Sequence, residues 1–253
     1  MLLAGCASTG AAKRKDWTAR QFYLSGRKAL LAENYPRAIK RFETLEARYP
    51  YGTYATRAEL DVAYAYYKNR ESDSAIAAAN RFIRLHPTDP RVDYAYYLKG
   101  LAHFNAHRST VYRLFGKNNL RDRDDHSARR AIAAFKTIVR RYPHSRYASD
   151  AYHRMVYLTD LLARNQVDVA KYYYSRRALV AAVNRAQYVI EHYQQTPAVE
   201  EALGIEAMAY RRMGLERLSD ASLAVLKRNF PHSRYIKKIQ RIAKPAVLPA
   251  GVK

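Results

Sequence analysis

The sequence predicts an all-α chain, a superhelical solenoid of about five helix pairs, and three observations predict it. The first is a returning proline-centred string. Tyr142-Pro143-His144-Ser145-Arg146-Tyr147 and Phe230-Pro231-His232-Ser233-Arg234-Tyr235 are nearly identical, Tyr49-Pro50-Tyr51-Gly52-Thr53-Tyr54 is a relative, and His86-Pro87 is a weaker one. The second is their spacing. Pro50 to Pro87 is 37 residues, and Gln194 to Pro231 is 37 again. Pro87 to Pro143 is one such period with a 19-residue insertion, and Pro143 to Gln194 is one with a 14-residue insertion. A fixed period of this length means stacked supersecondary units. The third is composition: 9 Gly and 9 Pro in 253 residues are too few for an all-β chain, and 49% hydrophobic residues can fill a core.

The units follow in order. In the first, Gly26 is followed by Tyr35, Ala38, Phe42, Leu45 and Pro50. These offsets match the tetratricopeptide pattern of a small residue, an aromatic, Ala, Phe and a closing Pro. Gly26 and Ala38 suit a close approach of two helix backbones, Phe42 fills the groove beside them, and Pro50 ends the second helix because it has no amide proton to donate. The second unit places Ala63, Ala75 and Pro87 at the same offsets. The third has Gly100 and then, beyond the 19-residue insertion, Ala131, Phe135 and Pro143. The fourth is read as Val156, then Ala182, Ala186 and Gln194, and the fifth as Ala207, Tyr210, Gly214, Leu223, Leu226 and Pro231. Thr53, Asp89, Ser145, Thr196 and Ser233 are expected N-caps of the following helices. Pro90 and Pro197 suit the first helical position. The insertions are expected to form a structured loop over His107–Asp125 and one long helix over Asp168–Tyr193. The alternative to a repeat array is a generic helical bundle with coincidental prolines.

Composition narrows the function. Lys+Arg 45 against Asp+Glu 22 leaves a net charge of +23. One cysteine rules out an intramolecular disulfide framework and a cysteine-built zinc cage. No run reaches the roughly 18 apolar residues of a membrane-spanning helix. His103 and His107 stand four apart, but no carboxylate completes a metal pattern. Asp122, Asp124, Asp125 and His126 lack the glycine and closing glutamate of an EF-hand, and suit the N-terminus of the Ala-rich helix behind them instead. No P-loop, dinucleotide glycine pattern or nucleophile elbow is present. The expectation is a non-enzyme with no metal and no bound cofactor.

The single cysteine has a context. Leu3-Ala4-Gly5-Cys6 looks like the lipobox that ends a bacterial lipoprotein signal peptide, with Ala7–Lys15 as a flexible tether behind it. Such a cysteine carries a diacylglycerol and an acyl chain, and the chains supply membrane affinity that the protein body need not have. The stretch is too short for a whole signal peptide and lacks a basic start, so the sequence is expected to begin inside one. The competing reading is a chance cysteine in a disordered terminus.

A lipobox followed by five such repeats resembles the BamD family, lipoproteins of the outer-membrane β-barrel assembly machinery. Several strings carry the resemblance in order: Arg48-Tyr49-Pro50-Tyr51-Gly52, Tyr64-Ala65-Tyr66-Tyr67-Lys68, Arg81-Phe82-Ile83-Arg84-Leu85, Arg121-Asp122-Arg123-Asp124 and Val183-Asn184-Arg185. It covers roughly Asp16 to Tyr235. The resemblance implies an outer-membrane location on the periplasmic face, docking on a BamA-type barrel protein through its POTRA domains, company with other assembly lipoproteins, and binding of unfolded outer-membrane proteins. It divides the chain into a signal remnant and tether over 1–15, substrate-binding repeats over 16–106, the insertion loop over 107–125, partner-docking repeats over 126–243, and a disordered tail over 244–253. The +23 charge and the basic run Lys237-Lys238, Arg241, Lys244 depart from the family.

Two surfaces are therefore candidates. Tyr64, Tyr66, Tyr67, Tyr94 and Tyr97, together with Tyr96, lie on the first helices of two units. On a helix Leu60, Ala63, Tyr64 and Tyr67 share a face and Tyr66 points elsewhere. Tyrosine is rigid and amphipathic, so some of these rings suit a groove that grips an extended peptide; ordinary inter-repeat packing is the alternative. Asn184 and Arg185 are the candidates for the docking contact, arginine being favoured at interfaces, against a plain solvated helix face. A rival function remains. A basic helical-repeat protein can bind nucleic acid by counterion release, or anionic lipid near its tether. The cations are spread over every repeat rather than gathered in one tract, so no nucleic acid is expected.

Overall fold

The computed structural model describes residues 17–114 and 125–242, with side chains for all of these except 107–114. Cys6, the tether over 1–15 and the tail over 244–253 lie outside the described residues, as do Asp122 and Asp124. Among the described residues the chain is helical, without strands. The helices are α1 (Ala19–Leu31), α2 (Tyr35–Arg48), α3 (Thr53–Lys68), α4 (Ser72–Leu85), α5 (Val92–Leu114), α6 (Asp125–Arg141), α7 (Ala148–Ser175), α8 (Leu179–His192), α9 (Ala198–Arg212), α10 (Glu216–Asn229) and α11 (Arg234–Arg241). They form two compact units that divide between Leu98 and Lys99, inside α5. In the first unit α1 packs on α2, α2 on α3, α3 on α4, and α1 also on α3. In the second, each of α6 to α10 packs on the next, and α7 and α11 both reach α9. Neighbour packing with an extra contact between successive first helices is the expected tetratricopeptide-like array.

Two backbone devices set the period. The first closes each helix pair. Glu33, Arg70, Arg177 and Gly214 have φ of 55°, 65°, 61° and 76°. Around each, the next amide reaches back to the fifth carbonyl before it: Asn34 to Ala29 (2.9 Å), Glu71 to Tyr66 (3.0 Å), Ala178 to Tyr173 (3.0 Å) and Leu215 to Tyr210 (3.0 Å). This is a Schellman ending, which satisfies otherwise orphaned helix carbonyls. The second ends each pair. The residue before the closing position donates its amide four back, from Tyr49, His86, Tyr142, Tyr193 and Phe230, at 2.7–2.9 Å. Four of these have φ between −127° and −135° with positive ψ, the region to which a following proline drives its neighbour. Tyr193 adopts it although Gln194 replaces the proline.

The close approach expected in the first unit is present. A Cβ on Gly26 would lie 2.5 Å from Cε1 of Phe42, and one on Gly100 would lie 2.5 Å from Cε1 of Phe135. Both rings are fully buried, as are Ala38 and Leu45.

Several expectations change. Asp168–Tyr193 is not one helix: α7 ends at Ser175, and Arg177 in the left-handed region turns the chain into α8. The long element is α7, 28 residues. Val156 is not the small residue of the fourth unit, being 47% exposed; Ala170, buried and twelve residues before Ala182, holds that place. The 14 extra residues therefore lengthen α7 ahead of its packing site. The expected loop over 107–125 is helical through Leu114, because α5 continues, and Asp125 already begins α6. Among the expected caps, Ser233 is an N-cap, accepting from the Tyr235 amide at 3.3 Å. Asp89 and Ser145 instead accept from Arg91 (2.8 Å) and Tyr147 (3.1 Å), in the turns before α5 and α7. Thr196 donates backward to the Tyr193 carbonyl at 2.8 Å, and α9 is capped by Pro197. Thr53 is already helical behind Gly52.

The glycine contact makes a prediction. Gly26→Ala should lower stability in urea unfolding by about 1–3 kcal/mol through overpacking, and adding Phe42→Leu should return part of the loss.

Candidate functional site

Tyr64, Tyr66, Tyr67, Tyr94, Tyr96 and Tyr97 are all half-buried, but they do different things. Tyr64 and Tyr67 pack with Tyr94 against the core cluster of Leu60, Ala63, Phe82 and Leu98. Tyr64 and Tyr66 also touch the neighbouring cluster around Phe42. The helix face shared by Tyr64 and Tyr67 is thus largely a packing face. Tyr66 points elsewhere: its hydroxyl donates to the Glu43 carboxylate on α2. It lines a depression of about 330 Å³ with Glu46, Ser74, Arg81 and the small side chains of Ala77 and Ala78. Tyr97 lies one turn beyond Asp93 on α5, half-buried.

This depression is electrostatically held. Arg81 on α4 pairs with Glu46 on α2. Burial nevertheless raises the Glu46 carboxyl above its ordinary value, with Arg81 opposing. Burial, then the Glu43 carboxylate, also raises the Tyr66 hydroxyl, so Tyr66 stays a neutral donor. Two further pairs reach α3: His86 Nε2, at the end of α4, lies 2.9 Å from Glu59, and Arg27 of α1 lies 3.5 Å from Asp61. With its proton given to Glu43, the Tyr66 oxygen can still accept from a peptide amide, and the remaining N–H groups of Arg81 can donate to a peptide carbonyl. Nothing in the arrangement activates a nucleophile. Among the described residues, no group of three His, Cys, Asp or Glu side chains could hold a metal ion. His103 is buried, 4% exposed.

In the second unit, Asn184 and Arg185 sit on α8 and are both exposed. Arg185 does not dangle: its guanidinium donates at 3.1 Å to Oε1 of Gln166, a buried residue of α7. Val180, 64% exposed, lies one turn before Asn184 on the same helix face. The face therefore offers an apolar side chain, an amide and a braced cation. Gln166 could be found in the sequence only by knowing that α7 and α8 are separate antiparallel helices.

A polar hub that sequence reasoning missed fastens the end of this unit. Glu201 on α9 meets Lys171 of α7 at 2.7 Å and Arg234 at 3.4 Å, and accepts from the Tyr235 hydroxyl. Burial alone would raise the Glu201 carboxyl, but the hydrogen bonds from Lys171 and Tyr235 prevail and hold it below its ordinary value. Burial and the Glu201 carboxylate push the Tyr235 hydroxyl up to about 12. The Tyr235 ring lies against Gly204, where a Cβ would come within 2.3 Å of Cγ.

The fold and these surfaces define a class: a tetratricopeptide-like helix-pair protein whose candidate surfaces suit polypeptides. The chain belongs to the family described as outer membrane lipoprotein, YfiO, whose model matches residues 15–226. It is 43% identical to the outer membrane protein assembly factor BamD of Neisseria meningitidis serogroup B, over 94% of this chain and 91% of that protein. It is 38% identical to BamD of Vibrio cholerae, over 85% of this chain and 88% of the relative. The BamD of Haemophilus influenzae is 31% identical, over 90% and 86%. The resemblance read from the sequence is therefore correct at the level of family.

Glu206 supplies a pH-dependent prediction. It is buried on α9, accepts from Ser222 at 2.9 Å, and burial raises its carboxyl. A raised folded value means that ionised Glu206 destabilises at neutral pH, and that this cost disappears as the pH falls. Glu206→Gln should raise the melting temperature at pH 7.5, and the gain should shrink toward pH 4.5.

Proposed function

We propose that this chain is a non-catalytic scaffold of the outer-membrane β-barrel assembly machinery. The observation that carries the reading is 43% identity to a named assembly factor over nearly the whole length of both proteins. In this reading Cys6 carries a diacylglycerol and an acyl chain that anchor the protein to the periplasmic face of the outer membrane. Asn184 and Arg185 dock on a POTRA domain of a BamA-type protein, beside other assembly lipoproteins. Support for that contact comes from the exposed face on which Gln166 holds Arg185 extended. The face around Tyr66 and Tyr97 receives unfolded outer-membrane proteins, while Tyr64, Tyr67 and Tyr94 mainly support it by packing. The fixed hydroxyl of Tyr66 and the half-buried rings suit an extended chain with aromatic side chains.

One experiment separates the two surfaces. The Arg185→Glu protein should lose co-purification with its barrel partner while still binding a C-terminal barrel peptide. The Tyr66→Ala, Tyr97→Ala protein should do the reverse, with the helical circular dichroism of both unchanged. Full co-purification of Arg185→Glu, or unchanged peptide affinity of the tyrosine variant, would count against the corresponding assignment.

A further inference from the structure

The 14-residue lengthening of α7 does more than extend a helix. It builds one wall of a groove of about 720 Å³ in the second unit, closed opposite by α6 and at one end by the turn Tyr193–Pro197. On that wall Tyr152, Val156 and Tyr157 are 49%, 47% and 58% exposed. Tyr152 and Val156 stand one turn apart on one face of the helix, and Tyr157, next to Val156 in the chain, widens the apolar lining on one side. Large apolar side chains gathered in this way mark an interaction site more often than singly scattered ones do.

The opposite wall is cationic. Arg129, Lys136 and Arg140 project from α6 into the groove and are exposed. Among the described residues neither Lys136 nor Arg140 has an acidic partner, and Arg129 is engaged by the Tyr188 hydroxyl at 3.1 Å and loosely by Asp125 at 4.0 Å. The lining carries one carboxylate, Asp160, whose Oδ2 pairs with Arg164 while its Oδ1 is buried without a hydrogen-bond partner. At the closed end, Tyr193 is 7% exposed, and its buried hydroxyl lies beside the Arg129 guanidinium.

We propose that this groove docks an extended segment of a partner polypeptide that carries a carboxylate beside large apolar side chains. The apolar side chains of α7 take the side chains, and the α6 cations take the carboxylate. The concave shape and apolar wall favour a peptide over a lipid surface, for which the cations alone would suffice. The residues are other than those assigned to barrel docking and substrate binding, so the proposal stands independently of those assignments.

The test uses the full chain and a fluorescein-labelled peptide of alternating Glu and Phe, with a Gln-for-Glu copy as control. Fluorescence anisotropy at low salt should show saturable binding of the acidic peptide and weaker binding of the copy. The Lys136→Gln, Arg140→Gln protein and the Val156→Ser, Tyr157→Ser protein should each bind about tenfold more weakly. Thermal melts should be unchanged for Lys136→Gln, Arg140→Gln, whose side chains are exposed, and Val156→Ser alone, which leaves the contact of Tyr157 with Phe104 intact, should melt as wild type and still bind more weakly. The Tyr66→Ala, Tyr97→Ala and Arg185→Glu proteins should bind the peptide as wild type does. Absence of saturable binding, equal affinity for the copy, or unaltered affinity of the two groove variants would each overturn the proposal. So would a loss of phosphatidylglycerol-vesicle binding in Lys136→Gln, Arg140→Gln with peptide binding intact.

Discussion

The fold depends on the closeness with which two helices of a pair can meet. In the first unit that closeness is the Phe42 ring seated where Gly26 has no side chain. Phe135 on Gly100 repeats it in the second unit. Each ring is removed from water completely, and the burial of such a side chain is worth roughly 1.5–3 kcal/mol. The turn that permits the meeting is equally constrained. Its left-handed residue is glycine only at Gly214; Glu33, Arg70 and Arg177 hold the same conformation. A side chain there costs roughly 1–2 kcal/mol, which the paired helices must outweigh. The array is thus assembled from tight joints, and the joints leave the intervening helix faces free to diversify.

That freedom is where function resides. The polar pairs of the first unit, Glu43 with Tyr66 and Glu46 with Arg81, join second helices to their neighbours and fix the aromatic face. In the second unit, Gln166 braces Arg185 and Glu201 fastens α11. None of these groups is arranged for bond making. They fix side chains in place on the helices that carry them. The net charge of +23 is spread over both units, with a local concentration on α6 facing the apolar side chains of α7.

Much of this was legible in the chain. Proline with an aromatic or histidine before it marks the pair endings, because proline restricts its predecessor, and the 37-residue period follows from those marks. Glycine followed by phenylalanine sixteen residues later gives the joint of the first unit. The family resemblance rested on local strings whose order matched, and the comparisons bear it out. What escaped lay where the usual signals are absent. Arg177 breaks α7 from α8 without a glycine or proline, so two helices read as one. That error moved the small residue from Ala170 to Val156 and hid the exposed apolar side chains of α7. The Glu201 hub unites residues far apart in sequence, and no local pattern announces it. The tyrosines were separable only in part: period placed Tyr66 apart from Tyr64 and Tyr67, but its bond to Glu43 required the fold.

The scaffold reading is most directly tested by extracting the protein from its own membranes in mild detergent and analysing it by mass spectrometry. A lipid-anchored scaffold gives a peptide with acylated Cys6 together with a BamA-type barrel protein in comparable amount. Recovery of the chain alone, with an unmodified thiol at Cys6, would contradict it.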